Sequence, residues 1–166
     1  MIAIVHADSK WGIGKSNGLM FDLPLDMKFF RETTTGKVVC MGYNTLLSFP
    51  NAKPLKNRIN VLLCQEGTSV ENCICVHSVT DLLAQIKKYP KDDVFIIGGA
   101  SVYKTMLPYC DKVLLTKVEA DGGAEVFFPN LDEMPNFVLV DESSPILDNG
   151  YTIRFVTYEN KNVVNY

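Results

Sequence analysis

Residues Trp11–Thr34 read W-G-I-G-K-S-N-G-L-M-F-D-L-P-L-D-M-K-F-F-R-E-T-T, and the order of elements they encode organises the chain. A strand runs into a loop studded with Gly12, Gly14 and Gly18, and a Leu-Pro step then opens a helix. Residues three or four apart share a helix face, so Asp26, Met27 and Phe30 form one patch: a carboxylate set in an apolar wall. A first-turn acid is commonly nothing more than a partner for the helix dipole. An acid on an oily face needs something to pair with, which makes Asp26 a candidate ligand anchor.

Outward from this stretch, short apolar runs alternate with helical patterns. The runs are Ile2–Val5, Val38–Met41, Ile59–Cys64, Cys73–Val76, Val94–Ile97 and Val113–Thr116; the helices fall near Leu25–Thr34, Tyr43–Phe49, Thr80–Lys88 and Ser101–Leu107. Strands apolar on both faces belong in a largely parallel sheet covered on both sides. Ser78 or Thr80 caps the third helix, and Pro108 closes the fourth. The tail differs: Phe137–Asp141 and Tyr151–Tyr158, joined by S-S-P-I-L-D-N-G with its Asn149-Gly150 turn, predict an antiparallel hairpin at one edge. The expected fold is α/β, a three-layer sandwich with a mixed, mostly parallel sheet, and residues 1–166 are expected to form a single domain.

Composition narrows the function. The 166 residues are 47% hydrophobic and 21% charged, an ordinary globular balance. With a net charge of −3 and no Lys/Arg run, neither nucleic acid nor an anionic membrane surface is the expected partner. No apolar stretch nears the ~18 residues of a span, and M-I-A-I-V-H-A-D lacks the pattern of a signal peptide. The five cysteines read as small buried side chains of a reducing, cytoplasmic setting, and no metal site is expected.

Three further segments carry chemistry. Val94–Tyr103, V-F-I-I-G-G-A-S-V-Y, runs from a buried strand through Gly98-Gly99 into a helix, exposing backbone N–H groups that suit a phosphate. Val38–Thr45, V-V-C-M-G-Y-N-T, repeats that pattern. Each also fits an ordinary tight turn. In Pro54–Leu63, P-L-K-N-R-I-N-V-L-L, Arg58 enters a strand with a fork suited to a carboxylate.

In this order the pieces resemble dihydrofolate reductase: G-I-G, L-x-F-D-L-P-x-D-x-x-x-F, M-G-x-x-T, P-L-x-x-R, I-G-G-A-x-V-Y, L-T-K-V and F-F-P. The resemblance implies NADPH-dependent reduction of 7,8-dihydrofolate, with antifolates such as trimethoprim as inhibitors and a monomeric enzyme. Asp26 matches the acid that anchors the pterin, and Thr116 the threonine that supports it. Ile4, Val5, Met27, Phe30, Phe49, Leu55 and Ile97 match the walls around the substrate, and Arg58 the clamp on its glutamate. On the cofactor side the matches are His6, Ala7, Ile13, Leu19, Gly42, Tyr43, Asn44, Thr45, Cys64, Gln65, His77, Gly98, Gly99, Ser101, Val102 and Tyr103. Residues 9–23 match a mobile lid. Rival readings are a pyrimidine reductase of riboflavin synthesis, which P-L-x-x-R argues against, and a weakly catalytic pterin- or nucleotide-binding protein.

The chain departs from the family pattern in four places. Phe21 stands in the place of a tryptophan that helps order a catalytic water. His6 replaces an alanine; it either turns away to bond locally or reshapes the pterin pocket and weakens diaminopyrimidines. Tyr43, Cys64, Gln65, His77 and Ser101 thin the positive charge around the cofactor's 2′-phosphate, which predicts reduced discrimination against NADH. Glu125 replaces an aspartate in the turn that meets the lid.

Overall fold

A computed structural model describes residues 1–166. Its strands are β1 (Ile2–Ala7), β2 (Gly12–Gly14), β3 (Val38–Gly42), β4 (Ile59–Leu63), β5 (Cys73–Val76), β6 (Val94–Gly98), β7 (Lys112–Val118), β8 (Val126–Phe127), β9 (Phe137–Glu142), β10 (Ile146–Asp148) and β11 (Tyr151–Asn160). The helices are α1 (Pro24–Thr34), α2 (Tyr43–Leu47), α3 (Val79–Ile86) and α4 (Ala100–Met106). Ser78 caps α3, its side chain accepting from the Asp81 N–H at 3.0 Å.

Nine strands form one sheet in the order β10-β11-β7-β1-β6-β3-β4-β5, with β9 also on β11. The run from β7 to β5 is wholly parallel, and β11 lies antiparallel to β7. Side-chain alternation divides the core between the two faces. Ala3, Cys40 and Val61 pack with Leu82 and Ile86 of α3 and Val102 and Met106 of α4. Ile2, Ile4, Val39 and Met41 pack on the other face with Leu46 of α2 and Phe29 and Phe30 of α1. The two-sided burial read from the apolar runs is therefore present.

Two expectations need correction. The tail is more than a hairpin: Ile146–Asp148, read as part of a connector, is the strand β10. The Asn149-Gly150 turn joins β10 to β11, while β9 pairs farther along the same edge of β11. The glycine loop after β1 also contains a strand, since β2 pairs antiparallel with β8. Its root is tied by buried Asp8, whose Oδ1 accepts from Gly12 N–H (2.7 Å) and Lys10 N–H (2.9 Å) and whose Oδ2 accepts from Gly122 N–H (2.9 Å). Farther out, the Ser16 N–H donates to Glu125 Oε1 at 2.8 Å. Trp11 packs inward, stacked near Phe128.

Candidate active site

The carboxyl ends of the parallel strands open into one cleft of 1320 Å³. Ligands of open α/β sheets bind outside the strand ends, where chain direction leaves a crevice. Ile4, Val5, Met27, Phe30, Phe49, Leu55 and Ile97 line one part of it. Gly42, Tyr43, Asn44, Thr45, Cys64, Gln65, His77, Gly98, Gly99, Ser101, Val102 and Tyr103 line the rest, and Ile13 and Leu19 reach in from the loop.

Asp26 lies at the floor, buried in the first turn of α1. Pro24 lacks an N–H, and Leu23 supplies no side-chain cap, so the next amides need another partner. Asp148 of β10 provides it: its carboxylate accepts from Leu25 N–H and Asp26 N–H, all at 3.1 Å. The Asp26 side chain is held separately. Thr116 Oγ1 donates to Oδ1 at 2.7 Å, and His6 Nδ1 meets Oδ2 at 3.2 Å. His6 therefore does not turn away: the alternation of β1 places it with Ile2 and Ile4 beneath α1.

At the other side of the floor β6 ends in Gly98-Gly99, joined by a cis peptide bond. A Cβ at Gly98 would meet Thr45 Oγ1 at 2.9 Å, and φ is +138°, a conformation that L side chains rarely adopt. Glycine keeps this corner bare, so backbone rather than side chain faces the cleft. Tyr103 locks α4 to β1 by donating to the Ile4 carbonyl at 2.7 Å, and burial pushes its phenol above the usual range.

Four expected site residues do not line the cleft. Thr116 sits behind Asp26. Ala7 faces the core with α3 and α4. Phe21 packs edge-on to Tyr151 at 4.8 Å and lies 6.2 Å from the His6 ring. Arg58 lies along α1, where Nε donates to Thr34 Oγ1 (3.1 Å) and Nη1 to the Lys56 carbonyl (3.1 Å), with the guanidinium over Phe30. Burial, then the like charge of Arg31, draws its guanidinium below the usual range. Sequence reasoning missed Lys15, Ser48 and Thr68 in the cleft wall, and Asp8 and Asp148 behind it. Glycine-loop and turn residues of these types carry no local signal; their roles arise from partners distant in sequence.

Comparison with known proteins places this geometry. The dihydrofolate reductase family model matches residues 1–160. The dihydrofolate reductase of Bacillus subtilis (strain 168) is 35% identical over 166 residues, covering 98% of this chain and 96% of that one. That of Haemophilus influenzae is 32% identical over 155 residues, covering 90% and 91%. Among solved structures, dihydrofolate reductase from Enterococcus faecalis complexed with NADP(H) and RAB-propyl superposes with a TM-score of 0.85 at 30% identity, covering 96% of this chain and 95% of that one.

Proposed function

The chain belongs to the dihydrofolate reductase family, and on that premise we propose how its cleft carries out NADPH-dependent reduction of 7,8-dihydrofolate to 5,6,7,8-tetrahydrofolate. The observation that carries the reading is the buried Asp26–Thr116 pair, set in one cleft with the bare Gly98-Gly99 corner. Asp26 accepts hydrogen bonds from the pterin's 2-amino group and ring nitrogen, and Thr116 fixes the carboxylate that does so. Val5, Met27, Phe30, Phe49 and Leu55 enclose the rings and exclude water around the reacting bond. Arg58 stands beside Phe30 and swings from Thr34 to grip the substrate's glutamate carboxylate.

The residues around Gly98 fit the cofactor, because a pyrophosphate needs bare backbone at close range and any side chain there would collide. Gly42, Thr45, Gly99, Ser101 and Val102 would hold that end, and Ile97 and Ile13 would stand on the nicotinamide side. NADPH supplies the hydride that goes to C6 of the substrate. The loop carrying Leu19 covers the site and controls the water that protonates N5.

Of the chain's 16 lysines and arginines, Lys15 alone lines the cleft. Lys53 and Lys56 do not line it, and the His77 ring is tied through Nδ1 to the Cys64 carbonyl at 3.1 Å. That supports reduced discrimination between NADPH and NADH. We further infer a monomer acting on small molecules in a reducing, cytoplasmic setting: one chain supplies every wall of the cleft, and Cys40 and Cys110 lie fully buried as thiols.

The test is the initial rate of reduced-nicotinamide loss with dihydrofolate, run in parallel with NADPH and NADH. A dihydrofolate-dependent rate is expected with both, larger with NADPH. No rate in the folded protein would favour a binding role, and an NADPH preference of about several thousandfold in kcat/KM, or ~5 kcal/mol, would overturn the reading of the cofactor end.

A further inference from the structure

His6 is a buried titratable side chain of the cleft that stands in the place of an alanine in the family pattern, so the family supplies no chemistry for its ring. Its neighbours define its role. Residues His6 of β1 and Thr116 of β7 are register partners, so two adjacent strands present a donor side by side under α1. Each takes one oxygen of the same carboxylate: Thr116 Oγ1 the Oδ1 at 2.7 Å, His6 Nδ1 the Oδ2 at 3.2 Å. The other ring nitrogen, Nε2, is enclosed with no protein partner, and the ring face packs near Phe21. All of the polar bonding His6 makes within the fold therefore goes to Asp26. Most buried side-chain polar atoms have a partner in the scaffold, so a ring whose only partner is Asp26 is placed by that carboxylate.

We propose that His6 is a positioning residue of the reduction, fixing the Asp26 carboxylate through Nδ1 so that, with Thr116 on the other oxygen, both oxygens are held in place for the pterin. The inference rests on the reading of Asp26 as the pterin anchor. With Asp26 ionised, Nδ1 carries the donated proton. The pair then has a net charge of −1 when the imidazole is neutral and zero when it is protonated.

The other charged side chains of α1, Lys28, Arg31 and Glu32, are exposed, and four further titratable groups stand on the elements around the pair. Asp148 of β10 lies at the backbone of Asp26, and Tyr103 of α4 is bonded to the Ile4 carbonyl. Lys117 of β7 sits over the Tyr158 ring, and Asp8, beyond β1, is engaged by loop amides. Phe21 and Thr116 complete the surroundings without charge. None of these four reaches the His6 ring; Asp26 does.

The test measures kcat/KM for dihydrofolate at saturating NADPH from about pH 5 to 9, the range over which imidazole changes charge. Wild type is compared with His6→Ala, His6→Asn and Asp26→Asn. Asparagine places an N–H where Nδ1 lies but cannot ionise. At the plateau His6→Ala falls about tenfold and His6→Asn recovers most of that, as expected for a donor to a carboxylate. Because the chain has only two histidines, ring-proton NMR follows His6 with His77 as internal reference. In Asp26→Asn the His6 ring resonances should move, as the bond to Oδ2 is altered, while those of His77 stay put. An unchanged kcat/KM in both His6 variants, a His6→Asn no better than His6→Ala, or His6 resonances indifferent to Asp26→Asn overturns the proposal. Retained turnover in Asp26→Asn would instead defeat the anchor reading, and the NMR arm still reports the pair. Should His6→Ala fail to fold, His6→Asn and the NMR comparison decide.

Discussion

Both oxygens of the buried Asp26 carboxylate have a partner before any ligand arrives, Thr116 at 2.7 Å and His6 at 3.2 Å. Asp26→Asn keeps the shape but replaces one acceptor oxygen by a donor. We expect NADPH binding to persist while turnover at neutral pH falls about a hundredfold or more, a typical loss for a positioned acid–base group. Part of the loss should return in acid, where the substrate arrives already protonated. Turnover at two pH values beside a cofactor titration checks this, and undiminished neutral activity would break the assignment. His6→Ala frees space next to the same carboxylate and removes a potential cation from it. A diaminopyrimidine such as trimethoprim should then bind more tightly; an unchanged inhibition constant would sink that expectation. Asp26 and Thr116 were legible in the sequence because both lie within extended motifs. The direction of His6 was not. Ile2 and Ile4 precede it on one face, but Val5 and Ala7 are equally apolar on the other, and a two-sided strand hides which face carries α1.

At the scale of elements, α1 is positioned by a residue from the far end of the chain. A proline-initiated helix with no local cap leaves its next amides to find acceptors, and Asp148 accepts two of them from 122 or more positions away. Asp148→Ala should therefore cost roughly 1–2 kcal/mol, as loss of an N-cap does. The KM for dihydrofolate should rise with it, since the same turn carries Asp26. Urea unfolding and steady-state kinetics measure the two effects; an unaltered midpoint would show that the cap contributes nothing. Little of this could be read locally. The Asn149-Gly150 step announces its turn, but the three residues before it, Ile146–Asp148, are too short and too close to Pro145 to read as a strand. The pairing of β2 with β8 was hidden in the same way, because Gly12 and Gly14 give a strand no side-chain signature.

The whole molecule is a sheet with apolar side chains on both faces, which is why its apolar runs were the most legible feature of the sequence and why small thiols end up deep inside. Cys40 and Cys110 are both fully buried and free. Burial, reinforced by Cys110, pushes the Cys40 thiol well above the usual range, and burial pushes Cys110 up to about 12. Both folded values lie above those of the unfolded chain. The stability tied to them is thus fully present below the ordinary thiol range and lost as pH rises beyond it, because the unfolded state then binds fewer protons. Each thiol contributes a slope of about −1.4 kcal/mol per pH unit in that window, so the pair removes roughly 3–4 kcal/mol between about pH 8 and 10. Urea unfolding at the two pH values should show this decline in the wild type and a flatter one in the Cys40→Ala/Cys110→Ala double variant. The slopes, unlike the absolute stabilities, are insensitive to the small cavities those substitutions leave. Equal slopes would mean that other groups carry the alkaline loss, with Tyr103, also buried and also shifted upward, the first to examine.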